Sequence, residues 1–242
     1  NAFTHKGGMH AAGFLIDPKS FQHIDPLEVG NNSSISISEL SGRKSIMTRI
    51  EKLGLGNILD SNDAEKIIKK IKEKESEGYA FELASSSLDL LIYRNLPNYE
   101  PKFELIDFMV LVENKRRSSL GTGWREDNSE HPILSEATIK IKTNDKQLHT
   151  AAEGNGPVGA LDNALRKSLI DIYPEINVVR LTDYSVRVVE EGTGTGATVR
   201  VIIESSDDKS SWTTVGASSN IIEASWIALS DSLEWFLIKH SL

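Results

Sequence analysis

Two stretches of this chain read as copies of one unit, and that repeat limits the fold more than any other feature. "ATIKIKT … HTAAEGNGPVGALDNALRKSL" (residues 137–169) and "ATVRVIIES … WTTVGASSNIIEASWIALSDSL" (197–233) align with Ala137-Thr138 on Ala197-Thr198 and Gly154-Asn155-Gly156 on Gly216-Ala217-Ser218. The period is roughly 60 residues. Each copy reads as strand, strand, glycine-containing turn and helix. The helices carry matched apolar stripes, Val158, Leu161, Leu165, Leu169 and Ile172 in one and Ile222, Trp226, Leu229, Leu233 and Phe236 in the other. One unit alone leaves its stripe uncovered. Two units together predict an α+β fold, pseudo-symmetric and duplicated, with helices packed on antiparallel sheet.

The first copy holds Gly154, Gly156 and Gly159 in the spacing G-x-G-x-x-G, which raises the question of a dinucleotide site. Such a site needs its glycines at the end of a buried parallel strand, and an acidic residue at the end of the next strand for the ribose. The residues before Gly154, "HTAAEGN", are polar, and the following strand-like segment alternates as half-exposed antiparallel strands do. The second copy also lacks the triple glycine. We therefore expect no nucleotide loop here. Pro157 suits a first helical position, and Gly154 and Gly156 would let the chain turn tightly and gather N–H groups at a helix start. A helix start of that kind favours a small anion such as an amino-acid carboxylate; the alternative is a tight strand-to-helix turn with no ligand.

Elsewhere the pattern changes twice. Residues 1–41 are rich in Gly and Asp-Pro turns, with "SISISEL" reading as a short strand. Residues 42–100 read as a small helical subdomain of three helices. Ile46, Ile50 and Leu53 line the first, which Gly54 stops; Asn62 with Glu65 resembles a capping box for the second; and the third covers residues 79–96, ended by Pro97. Residues 101–242 alternate as strands before each repeat helix, around a polar segment from Asn114 to Glu136 that we expect to be mobile.

The 242 residues carry a net charge of −8 and contain no cysteine. The charge gives no basic surplus for nucleic acid, and the absence of cysteine excludes disulfides and thiolate chemistry and suits a cytoplasmic protein. No apolar run is long enough to span a bilayer, and the first residues have no signal-peptide pattern, so no membrane role is expected. The chain starts on Asn within structured-looking sequence and reads as a piece of a longer one. In "THKGGMHAAG", His5 and His10 lie five residues apart, the wrong spacing for a helical metal pair, so no metal site is expected. A histidine beside flexible glycines could serve as a general acid or base, or be structural; the residues alone leave both open.

Several long segments in order, "THKGGMHAAGFLIDPKSFQHIDPLEVGN", "SELSGRKSI", "HTAAEGNGPVGALDNALRKSL", "RLTDYSVRVVEEGTGTGATVRVIIES" and "SWTTVGASSNIIEASWIALSDSLEW", resemble the C-terminal half of the alpha-isopropylmalate synthase family. The wording is nearest to its citramalate synthase branch. The resemblance implies an acyltransferase that condenses acetyl-CoA with a 2-oxo acid in a separate (β/α)8 barrel holding a divalent metal. No cofactor is implied within this chain, whose residues would form the linker and the regulatory domain. It implies that His10 reaches the barrel's site as an accessory acid or base, often across a homodimer. It also places Phe21 where the family usually has a tyrosine, removing a hydroxyl. Finally, it implies that a branched-chain amino acid, isoleucine in one branch and leucine in another, binds the dimeric regulatory domain as feedback inhibitor. The effector-site candidates are Gly154, Asn155, Gly156, Val158 and Ala160 from one copy and Gly216, Ser218, Ile221 and Ile222 from the other.

Overall fold

The computed structural model describes residues 4–5, 24, 26–30, 34–35, 42–113, 134–143, 146–189 and 194–241. Two short strands, β1 (Thr4–His5) and β2 (Ser34–Ile35), pair in parallel. The strand expected over 34–40 is described only in its first two residues. His10, Phe21 and residues 114–133 of the polar segment lie outside the described residues.

Helix α1 (Arg43–Lys52) buries Ile46 and Ile50, and Gly54 follows its C-terminus at φ +76°, a left-handed conformation that suits glycine. Helix α2 (Ser61–Ser76) starts slightly earlier than its sequence signal. The Asp60 carboxylate accepts the Asn62 and Asp63 N–H groups while the Asp63 side chain accepts from Asp60 N–H, so the capping box is Asp60/Asp63 and not Asn62/Glu65. An aspartate at the cap satisfies orphan donors and meets the positive end of the helix dipole. The single helix expected over 79–96 is divided into a 3-10 turn (Phe81–Leu83) and helix α3 (Ser85–Tyr93). Three serines, Ser85 to Ser87, open α3; serine competes for backbone hydrogen bonds and favours helix ends. Asp89 receives both Arg49 guanidinium nitrogens, at 2.6 and 2.8 Å, and ties α1 to α3.

The remainder forms two three-stranded antiparallel sheets. Strands β3 (Glu104–Glu113), β4 (Leu134–Thr143) and β5 (Lys146–Gly154) lie in that order and lead into helix α4 (Pro157–Leu169). Strands β6 (Arg180–Val188), β7 (Val199–Ser206) and β8 (Ser211–Ser218) repeat the order and lead into α5 (Ile221–Ser241). The duplication reaches further than its sequence signal, since each unit carries a third strand ahead of the expected pair. Even the bulges match: the β3–β4 register shifts between Leu105 and Asp107, and the β6–β7 register between Leu181 and Asp183. The registers Ser135↔Gly154 and Val199↔Ser218 put Ser135 in correspondence with Val199 and Gly154 with Ser218. The sequence alignment of Gly154 on Gly216 is thus out of step; a β pairing repeats every two residues, so small slips in sequence look equally good.

Ala137, Ile139 and Ile141 of β4, Val201 and Ile203 of β7, and the inner faces of α4 and α5 share one core. A second core lies among α1, α2 and α3 and includes Ile238 of α5, while Trp235 packs against both. Helix α5 is therefore the element that joins the helical part to the duplicated part. A polar cluster strengthens the joint. Arg94 donates to Asp231 at 2.7 Å and to Glu234; Tyr99 donates to the other Glu234 oxygen; and Ser87 donates to Asp231 at 3.0 Å while accepting the Val215 N–H. Burial raises the proton affinity of Asp231 despite Arg94 beside it. It also pushes the Tyr79 phenol up to about 12, with the Asp231 charge adding to the effect.

Candidate functional site

At the first strand-to-helix junction, β5 ends at Gly154, Asn155 is exposed, and Gly156 takes the N-cap position of α4. Gly156 has φ −173° and ψ 172°, extended backbone open to any residue, and Gly154 is not in the left-handed region either. The tight-turn reason expected for these glycines is replaced by another. A Cβ on Gly154 would run into the Ala160 amide nitrogen and lie 2.6 Å from the Gly159 carbonyl carbon, so glycine is required because β5 and α4 touch backbone to backbone. Ala160 is fully buried at that contact, with Val158 partly buried one turn face away.

Pro157 occupies the first helical position and brings no N–H, and no side chain caps α4. Ala160 N–H bonds to the Gly156 carbonyl, which leaves Val158 and Gly159 as the first-turn donors facing outward from the helix end. Carboxylates are favoured at such an end by both the N–H groups and the helix dipole.

The second junction is closed differently. Gly216 lies within β8 and not in a turn. A Cβ there would strike the Ala224 carbonyl oxygen and come within 3.0 Å of Ala228 N, so this glycine also admits close strand-to-helix contact. Ser218 ends β8 and corresponds to Gly154. Its hydroxyl accepts from Asn220 N–H at 3.0 Å and donates to Glu223, and the Asn220 side chain accepts the Ile222 N–H at 2.9 Å. The first turn of α5 is thus capped by its own side chains. Ile221 stays 43% exposed, and Ile222 packs against the shared core. The two junctions therefore share an architecture and differ in chemistry: only the first leaves donors without a side-chain cap.

The antiparallel β4–β5 pairing ahead of α4 contains no βαβ crossover, so the G-x-G-x-x-G spacing has no dinucleotide-binding context. Two βββα units packed through a common core define a duplicated α+β module of the regulatory kind. Residues 82–237 match the LeuA allosteric (dimerisation) domain, and the chain belongs to that family. Residues 1–78 match the homocitrate synthase post-HMGL domain-like family, so the two matches meet inside the segment 42–100. The chain is 44% identical over 239 residues to an (R)-citramalate synthase of Aquifex aeolicus, covering 99% of this chain and 43% of that protein. It is 44% identical over 241 residues to an (R)-citramalate synthase of Geobacter sulfurreducens, with the same coverage. A 2-isopropylmalate synthase of Aquifex aeolicus is 28% identical over 243 residues, covering 99% of this chain and 41% of that protein. The chain thus spans about two fifths of the length of these relatives. The resemblance read from the sequence motifs agrees with the family found. Among the described residues no helix is long and apolar enough to cross a membrane.

Proposed function

We propose that this chain is the linker and feedback-regulatory part of an (R)-citramalate synthase, in which a separate barrel with its divalent metal condenses acetyl-CoA with pyruvate on the route to isoleucine. The observation that carries the regulatory reading is the uncapped start of α4, where Val158 and Gly159 present N–H groups beside partly buried apolar surface. An amino acid with an aliphatic side chain suits that combination: its carboxylate meets the donors and its side chain meets Val158 and Ile222. The effector is isoleucine on this reading; leucine is the alternative, which the 2-isopropylmalate synthase relative supports. A stand-alone amino-acid sensor is the rival of a different class. Calorimetric titration of the chain with each amino acid distinguishes them. Micromolar binding of isoleucine with much weaker leucine binding is expected, and binding of neither rejects the sensor.

A homodimer is part of the same proposal. Ile106, Met109, Leu111 and Val112 of β3 are 50–64% exposed, and Val188 of β6 is 62% exposed, an unusual load of apolar side chains on strands. The double substitution of Met109 and Leu111 by aspartate should convert the dimer to monomer in sedimentation experiments without lowering the helix content. A dimer that survives both charges places the interface elsewhere.

His10 is the proposed accessory acid or base for the condensation, with Phe21 standing where a tyrosine would line the same site. In an enzyme carrying this chain with its barrel, His10→Ala should lower kcat about 10²–10⁴-fold. Unchanged turnover would make the histidine structural.

A further inference from the structure

Among the described residues, three buried side-chain polar atoms lack a hydrogen-bond partner: Ser135 Oγ, one oxygen of Asp162 and Trp235 Nε1. Asp162 is already paired with Arg166 through its other oxygen, and Trp235 stacks on Trp212. Ser135 has no such compensation. It is fully buried, at 0% exposure, and a hydroxyl in that state forfeits its hydrogen bonds to water without replacement.

Its position gives the orphan a meaning. Ser135 shares the helix-covered face of β4 with Ala137, Ile139 and Ile141, all fully buried. Its cross-strand partner is Gly154, and antiparallel partners point to the same side of the sheet. Gly154 on that side lies against Ala160 N, in the first turn of α4. The unpaired hydroxyl is therefore aimed at the helix end that has no side-chain cap. In the sister unit Val199 stands where Ser135 stands, and Ser218 and Asn220 supply the cap that α4 lacks. One unit is closed by its own side chains; the other leaves a hydroxyl and two amides at one spot.

We propose that Ser135 Oγ, with the N–H groups of Val158 and Gly159, forms a carboxylate seat for a small aliphatic acid, and that only the first unit of each chain has one. The assignment of an amino acid as that acid rests on the regulatory reading above. The seat itself requires only the carboxylate. Ser135 donates its hydroxyl proton to one carboxylate oxygen while the amides hold the other, so binding satisfies the hydroxyl and neutralises the helix end together.

The test compares the wild-type chain with Ser135→Ala, using isoleucine, leucine, isoleucinol and the amine-free acids 3-methylpentanoate and 4-methylpentanoate. Loss of a hydrogen bond to a charged oxygen should weaken the preferred amino acid at least tenfold in Kd. Isoleucinol, which has no carboxylate, should bind both chains equally. Without ligand, Ser135→Ala should melt at or above the wild type, because an orphaned hydroxyl has been removed. The seat is overturned if Ser135→Ala binds the amino acid as well as the wild type does, if it loses isoleucinol to the same degree, or if it melts lower without ligand. Should the wild type bind neither amino acid, the effector reading fails by itself, and the seat is decided by the amine-free acids. Their binding, weakened by Ser135→Ala, upholds it, and no binding rejects it.

Discussion

Arg94→Met is expected to be the most damaging single substitution in the described structure. Asp231 and Glu234 are 6% and 5% exposed at their side chains, and Arg94 is the guanidinium that meets both. Burial works against the arginine's charge, yet the two carboxylates overcome it and hold Arg94 above its ordinary proton affinity. Methionine keeps the aliphatic stem and removes the charge, leaving two buried acids facing each other. Breaking a buried pair costs about 3–5 kcal/mol; the 40% exposure of the Arg94 side chain admits solvent, so we expect the lower part of that range, about 3 kcal/mol. For a chain of this size that lowers Tm by roughly 6–12 °C. Denaturant unfolding of wild type and variant measures it, and a loss below about 1 kcal/mol would mean the acids find other partners. Tyr99→Phe removes only one donor to Glu234 and should cost about a third as much.

The same cluster has a pH signature. Burial makes Asp231 hold its proton more tightly in the folded chain than in the unfolded one, where its ordinary value is 3.8. The stabilisation from the neutral form is present below that value and is lost as the pH rises through the higher folded value. Asp231→Asn mimics the neutral form and has no such loss. The wild type should therefore fall behind Asp231→Asn in stability as the pH climbs above 3.8. Parallel stability curves for the two chains would show that burial does not govern this carboxyl.

Gly216→Ala should have the second largest effect. The added methyl meets the Ala224 carbonyl oxygen and Ala228 N, both backbone atoms in α5, so no side-chain rotation relieves it. Helix and strand must separate, and the contacts of Val201, Val215, Ala224 and Ala228 in the shared core loosen with them. Overpacking of a close-packed interior costs about 1–3 kcal/mol, and a clash with backbone belongs at the upper end. Gly154→Ala meets Ala160 and Gly159 in the same way and should behave alike. Gly156→Ala is the control: nothing lies within 4 Å of its Cβ position and its backbone is extended, so it should cost only a few tenths of a kcal/mol at a helix N-cap. Equal melting of all three variants would refute the close-contact account of these glycines.

These glycines mark how far the sequence reaches. Their number and neighbourhood announced two strand-to-helix junctions, and Pro157 announced the start of α4. Their conformational role was legible only in space: Gly216 is a strand residue held against a carbonyl eight positions along the chain, a contact with no local signature. The candidate site divides likewise. The apolar stripes of α4 and α5 and the first-turn residues Val158 and Ile222 could be read from periodicity. Ser135 could not, because serine on a strand gives no sign of whether its hydroxyl meets water, a partner or nothing.

By itself, the sequence determined the elements and their duplication, since helical and two-residue periods, caps and glycine stops are written within a few neighbouring residues. It also determined what the G-x-G-x-x-G spacing is not, through the mismatch of the second copy. Only the tertiary structure decided the register of the repeat, the third strand of each unit, and the joint of Ser87, Arg94 and Tyr99 to Asp231 and Glu234. The physical reason is distance along the chain. Partners separated by 135 to 144 residues, as Tyr99 and Glu234 or Ser87 and Asp231 are, become neighbours only when both cores close around α5.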